Sequence, residues 1–263
     1  MRRTKIGAAL ALLPLLAGSA SAQDASGHVP PEPPTQAMPA MGDAQMASVM
    51  EMDDDAKLAM FKADELETGR RDGATQVAWN LQASWGGDFD KLWLRSEGER
   101  GEHATDARVE ALWDHAFANW WDWQVGLRED LGSAPGRSWA AFGVRGITPW
   151  WLDVEATAYV GKAGGLAGRL RVDYDVLLTQ RLVLQPEVEI NAYARNDRTR
   201  ERAAGLSDAQ FGLRLRYEWR REFAPYVGVV RGYRRSVAGL ADSHAPSRAD
   251  TQTRLVAGVC LWF

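Results

Sequence analysis

From about residue 57 to residue 263, apolar and polar side chains alternate one by one in segments of about 10–13 residues. In 211–219 the apolar positions are Phe211, Leu213, Leu215, Tyr217 and Trp219, and the polar ones are Arg214, Arg216 and Glu218. Leu152, Val154, Ala156 and Ala158 alternate with Asp153, Glu155 and Thr157 in the same way. The last segment sets Leu255, Ala257, Val259, Leu261 and Phe263 on one face and continues Arg254 on the other. A period of two places alternate side chains on opposite faces of an extended strand, so the expected class is all-β.

The beginning of the chain decides which all-β architecture is in play. Arg2, Arg3 and Lys5 precede an apolar run from Ile6 to Leu16, and Ala20-Ser21-Ala22 forms a small-residue cleavage site. Residues 1–22 read as a secretory signal peptide. No later stretch approaches the roughly 18–20 apolar residues that a membrane helix needs. An exported chain of this kind meets a membrane only as a closed barrel, because closure pairs every backbone group in lipid. Trp120, Trp121, Trp150, Trp151 and Trp219 fall at segment ends, where an interfacial aromatic girdle belongs.

The connections give the topology. Short turns are expected near 86–89, 118–120, 148–150, 179–181 and 220–224. Longer loops are expected near 98–106, 131–138, 161–166, 196–208 and 236–251. Barrels of this type have short periplasmic turns and long external loops. The last strand then runs inward, and pattern alone gives eleven strands. Parity requires a twelfth near 57–68, where the alternation is weak and partly helical. The expectation is an antiparallel transmembrane up-and-down β-barrel of about 12 strands over 57–263, with 10 as the alternative. Its lumen face would carry both signs of charge, among them Arg95, Glu97, Arg108, Glu110, Arg128, Glu155, Arg171, Glu187, Glu189, Arg214, Glu218 and Arg254.

Residues 23–56 have a different composition. Five prolines and seven acids (Asp24, Glu32, Asp43, Glu51, Asp53, Asp54, Asp55) stand there with no Lys or Arg, and this segment cannot bury a core. It reads as a disordered acidic periplasmic tail. In 57–263 bases and acids balance, which argues against nucleic acid as a partner, and the acidic tail suits cations. Apart from Met1, the methionines are confined to Met38, Met41, Met46, Met50, Met52 and Met60. Thioether sulfur is a soft neutral ligand suited to Cu(I) and needs no deprotonation. Met38, Met41, Met46, Met50 and Met52, with His28 and the hard oxygens of Asp53, Asp54 and Asp55, are the candidate metal ligands. The bland alternative is an acidic spacer whose methionines do nothing.

Other features carry less chemistry. Cys260 is the only cysteine, so there is no disulfide framework. It lies on the Arg254 face of its strand and is expected in the lumen. His103 and His244 fall in expected loops and His115 near a periplasmic end, each without a second His or Cys at ligand spacing. Gly161, Gly164 and Gly165 read as turn glycines. No strand sets a Ser beside a His on the outer wall, so a lipid-modifying enzyme is disfavoured and no catalytic role is expected.

Longer blocks carry a family resemblance. Trp85-Gly86-Gly87-Asp88-Phe89-Asp90-Lys91-Leu92-Trp93-Leu94-Arg95-Ser96-Glu97-Gly98-Glu99 resembles a block of the copper resistance protein B family. Further similar blocks are Trp121–Arg128, Leu178–Pro186, Gly212–Glu218 and Arg221–Gly228, in the family's order. The resemblance implies an outer-membrane barrel with a metal-binding periplasmic N-terminal region that takes part in copper tolerance. Copper ions would be bound cargo, sequestered or helped across the outer membrane. Outer-membrane lipid surrounds such a barrel, and a periplasmic multicopper oxidase is the implied partner. Many members carry repeated Met/His/Asp motifs in the tail, whereas here one histidine and scattered methionines remain. A general porin or scaffold barrel without a metal role is the competing reading.

Overall fold

A computed structural model describes residues 56–71, 74–101, 104–237 and 247–263. The expected leader and nearly all of the tail lie outside the described residues. The strands are β1 (Leu58–Arg71), β2 (Ala74–Gly86), β3 (Asp90–Arg100), β4 (Thr105–Ala118), β5 (Trp121–Gly132), β6 (Arg137–Ile147), β7 (Asp153–Gly161), β8 (Gly165–Asp173), β9 (Val176–Leu177), β10 (Leu182–Tyr193), β11 (Gly205–Tyr217), β12 (Phe223–Ser236) and β13 (Arg248–Trp262). Each pairs antiparallel with its neighbour, and β13 returns to pair with β1. The sheet therefore closes on itself.

The short β9 is not a separate stave. β8 and β9 both pair with β10, one beyond the other, so the barrel has the twelve strands that parity required. The gap between them faces Pro186 of β10, whose carbonyl still accepts from the Tyr174 amide at 3.1 Å. Proline has no N–H to give, which interrupts the ladder there.

The weak twelfth strand is real, and its weakness has a cause. β1 carries a bulge: its register shifts between Ala63 and Glu65 against β2, and between Ala63 and Leu66 against β13. The extra residue turns two consecutive acids, Asp64 and Glu65, away from the outer surface. A bulge breaks the period of two, so the sequence pattern there is not that of a regular strand.

One expectation is corrected. Short turns and long loops do not strictly alternate. The connections 101–104, 133–136 and 162–164 are as brief as the turns at the opposite end, and only 194–204 and 237–247 are extended. The charged residues at these strand ends keep their ladder partners, as in Arg100 with Thr105 and Glu99 with Asp106, so the strands run further than hydropathy indicates. The connection at 162–164 is a single 3-10 turn, and Gly164 takes φ 72°, which suits glycine.

Outward positions are apolar around the wall, including Leu94, Leu127, Phe142, Leu213, Val229 and Leu255. Exposed aromatics gather at the rim that holds Leu58 and Phe263: Trp85, Phe89, Phe117, Trp120, Trp150, Trp151 and Trp219. Among the described residues no helix is long and apolar enough to cross a membrane; strands do the spanning.

Leu127 is 67% exposed in the middle of β5. If this wall faces lipid, Leu127→Arg lowers barrel stability by about 2–4 kcal/mol near the midplane. Urea unfolding in phospholipid vesicles checks this; a change near zero would mean that the wall faces water.

Candidate functional site

The inward residues of these strands are largely ionic. Arg95, Glu110, Arg128, Glu155, Arg169, Arg171, Glu187 and Arg214 are all buried, with Glu67 beside them. A single charge in such a place costs several kcal/mol, so each needs a partner. The partners come both from neighbouring strands and from strands across the ring. Arg95 on β3 donates to Glu155 on β7 at 2.5 Å and to Gln124 on β5 at 3.2 Å. Arg169 on β8 reaches Glu97 on β3 at 2.9 Å and Glu189 on β10 at 3.0 Å. Arg108 on β4 also binds Glu97 and lies 3.1 Å from Glu189.

A second cluster adjoins the first. Arg214 on β11 lies 3.0 Å from Glu65, 3.2 Å from Glu67 and 3.1 Å from Glu187. Arg171 lies 3.1 Å from Glu187 and 3.6 Å from Glu65. Tyr226 donates to Glu67 at 3.2 Å, and Arg254 reaches Glu99 on β3 at 2.7 Å. The two acids set by the β1 bulge thus have different duties. Asp64 accepts from Gln82 at 2.7 Å on the neighbouring strand, while Glu65 reaches across the lumen.

Cavities flank this layer. One of about 250 Å³ is lined by Glu97, Asp106, Arg108, Asp130, Glu189 and Arg202 on the side of the long connections. A smaller one of about 30 Å³ is lined by Lys62, Asp64, Gln82, Arg145, Asp153 and Asp173. Arg171 lines both. The larger cavity is narrowed by the connection 194–204, which folds inward. Arg202 holds Asp106 at 2.5 Å and also donates to the Tyr193 hydroxyl. Arg200 reaches Asp106 at 3.3 Å and the Pro135 carbonyl at 2.9 Å, and Arg137 reaches Asp197 at 2.8 Å. The arrangement is a barrel whose lumen is crossed by paired charges, which suits holding or passing a small hydrated ion better than wide diffusion.

His28, Met38, Met41, Met46, Met50, Met52, Asp53, Asp54 and Asp55 all lie outside the described residues, as do His103 and His244. Among the described residues no three His, Cys, Asp or Glu side chains converge as a metal site. Cys260 is buried beside Ala224 and Tyr226, on the lumen side as its strand face requires. His115 stands on the outer wall at the terminal rim.

The expected lumen charges are borne out from Arg95 through Arg254. Glu218 lies just beyond β11, where its amide still binds the Arg181 carbonyl and its carboxylate lies 3.7 Å from Arg216 at the mouth. Sequence reasoning missed Glu65 and Glu67, because β1 was admitted on parity without a face assignment. It also missed Arg169, whose position between Arg171 and the glycines of the preceding turn is readable from the alternation Arg169, Arg171, Asp173. Arg200 and Arg202 carry no sequence signal beyond belonging to an arginine-rich connection.

A family model described as copper resistance protein B precursor (CopB) matches residues 57–263. A copper resistance protein B homolog of Pseudomonas syringae pv. tomato is 43% identical over 266 residues, covering 95% of this chain and 90% of that protein. Copper resistance protein B of Escherichia coli is 43% identical over 202 residues, covering 76% of this chain and 68% of that protein. The NanC porin shares the fold, with TM-score 0.50, 12% identity and coverage of 78% of this chain and 99% of that one. The KdgM porin gives TM-score 0.47 at 17% identity, covering 78% of this chain and 99% of that one.

Arg169 has a side chain only 1% exposed between two carboxylates. Arg169→Met should lower stability by about 3–5 kcal/mol, because it leaves Glu97 and Glu189 with Arg108 as their one shared guanidinium in place of two. Adding Glu97→Met should restore part of that loss. Urea unfolding of Arg169→Met, Glu97→Met and the double variant checks both, and additive losses would mean that the pair is not coupled.

Proposed function

This chain belongs to the copper resistance protein B family, and from that premise we propose that it binds copper through the Met- and Asp-rich segment 23–56 in the periplasm and there sequesters it or hands it toward the barrel. The family match supports a role in copper tolerance, and the barrel fold supports an outer-membrane location. The observation that carries the binding step is chemical: all five methionines of 23–56 lie within 38–52, next to the Asp53-Asp54-Asp55 run. Several thioethers close together in one segment can share a single Cu(I), and the acids raise the local concentration of cations.

The lumen supports holding over free passage. Its Arg and Glu side chains spend their charge on each other, so a cation entering must displace a guanidinium from a carboxylate. The methionines, which are neutral, ask no such exchange. A periplasmic multicopper oxidase is a fitting recipient or source of the ion, since Cu(I) held by thioethers remains open to oxidation. A porin without a metal role is the second reading, and the paired charges across its lumen argue against a wide pore.

The deciding experiment titrates Cu(I), against a competing chromophoric chelator, into the full mature chain and into a chain lacking residues 23–56. The full chain should bind at least roughly tenfold more tightly, a difference of about 1.4 kcal/mol or more. Replacing Met38, Met41, Met46, Met50 and Met52 by Leu should reproduce the loss while leaving the acids in place. Equal binding by all three, or none by the full chain, overturns the proposal.

A further inference from the structure

Asp90 and His115 are directly opposed in the β3–β4 ladder. Their neighbours Lys91 and Asp114 form the next pair, and Asp114 is buried on the lumen side. Alternation therefore puts Asp90 and His115 on the outer wall. Their side chains keep 57% and 37% of their surface. They stand beside the turn 87–89 at the rim where Phe89, Phe117 and Trp120 are exposed. On the barrel wall this level is where lipid headgroups meet the protein.

The pair is built into an aromatic frame. Asp90 Oδ1 lies 2.9 Å from His115 Nδ1 and accepts from the Trp113 indole N–H at 3.0 Å. The Trp113 ring is 5.5 Å from the imidazole, and the Trp123 ring stands edge-on to it at 6.0 Å. Trp123 also packs edge-on to Trp113 at 5.4 Å. Among the described residues no partner is found for Asp90 Oδ2 or His115 Nε2. An ionised carboxylate only accepts, so Nδ1 carries the proton between the two groups. Nε2 then faces outward, where it donates when the ring is imidazolium.

A free carboxylate oxygen and an outward imidazole nitrogen side by side, with the rings of Trp113 and Trp123 against the imidazole, suit the two poles of a zwitterion. We propose that Asp90, His115, Trp113 and Trp123 form a site for the headgroup of a bilayer phospholipid that carries both a primary ammonium and a phosphate. The ammonium is held by Asp90 Oδ2 and by the indole faces through cation–π attraction. The phosphate accepts from His115 Nε2. The site is independent of copper binding, since it lies on the wall and shares no residue with 23–56.

The test uses the purified full chain, delipidated in detergent and titrated with short-chain phosphatidylethanolamine, phosphatidylcholine or phosphatidylglycerol, with bound lipid counted by native mass spectrometry. Phosphatidylethanolamine should be retained best, since the quaternary ammonium of phosphatidylcholine has no N–H and phosphatidylglycerol has no ammonium. Asp90→Asn and His115→Phe should each cut its retention roughly fivefold or more, with retention of phosphatidylglycerol unchanged by Asp90→Asn. Trp113→Phe, which keeps the carboxylate and imidazole, should give an intermediate loss. Heat-modified gel mobility verifies that each variant is folded, and if Asp90→Asn does not fold, the His115 and Trp113 variants decide alone. Equal retention of the three lipids by the wild-type chain, or retention unchanged in the variants, overturns the proposal. Saturation by water-soluble glycerophosphoethanolamine at the same concentration as the lipid also overturns it, because the site would then read a free solute.

Discussion

The guanidinium–carboxylate pairs that cross the lumen are what the rest of this molecule depends on. A ring of twelve strands is too wide for apolar side chains to fill with ordinary packing, and water alone would leave a channel. Arg and Glu are long enough to reach from near-opposite walls, and planar guanidinium groups can bind two carboxylates at once. Arg169 between Glu97 and Glu189, and Arg214 among Glu65, Glu67 and Glu187, brace the wall from inside. Such pairs add little net stability compared with an apolar core, yet losing one member leaves a charge without an answer. The network therefore fixes the shape of the barrel more than its free energy.

That constraint separates two kinds of chemistry in the chain. The barrel's ionic groups are committed to one another, so they are poor candidates for metal ligation. Neutral soft donors are concentrated outside it, in a segment with no capacity to form a core. The proposed binding of copper by 23–56 rests on that division. The outer surface, where Asp90 and His115 pair among indoles, is left free for a separate interaction with the bilayer.

Much of the fold was readable because the wall has a strict two-residue period. The stretches Trp121–Arg128 of β5 and Phe211–Tyr217 of β11 show it plainly, and their inward charges follow at once. β1 was harder, and the reason is physical: its bulge adds a residue at Asp64 and reverses the pattern in mid-strand. A rule built on alternation sees such a strand as irregular at the very place where Glu65 is sent across the lumen. The inward fold of 194–204 was not readable at all, since Arg200 and Arg202 meet Asp106 from far away in sequence and only the closed ring brings them together. The lengths of the connections were overread, because charged strand ends look like loops when hydropathy is the guide.

The β1–β13 seam joins the two ends of the barrel chain, and this has a consequence for assembly. Contacts between elements so distant in sequence carry the greatest loop-closure cost and form late. Before the seam closes, Arg214 has lost two of its three carboxylate partners, Glu65 and Glu67 on β1, and Arg254 has lost both Glu67 on β1 and Glu99 on β3, which lies beyond β1 and β2. An open intermediate thus holds surplus positive charge on its inner face, facing the edge where β1 must dock. The two acids on the incoming strand are attracted to that surplus, so the last zipping step of barrel formation is guided electrostatically and gains its charge balance only on completion.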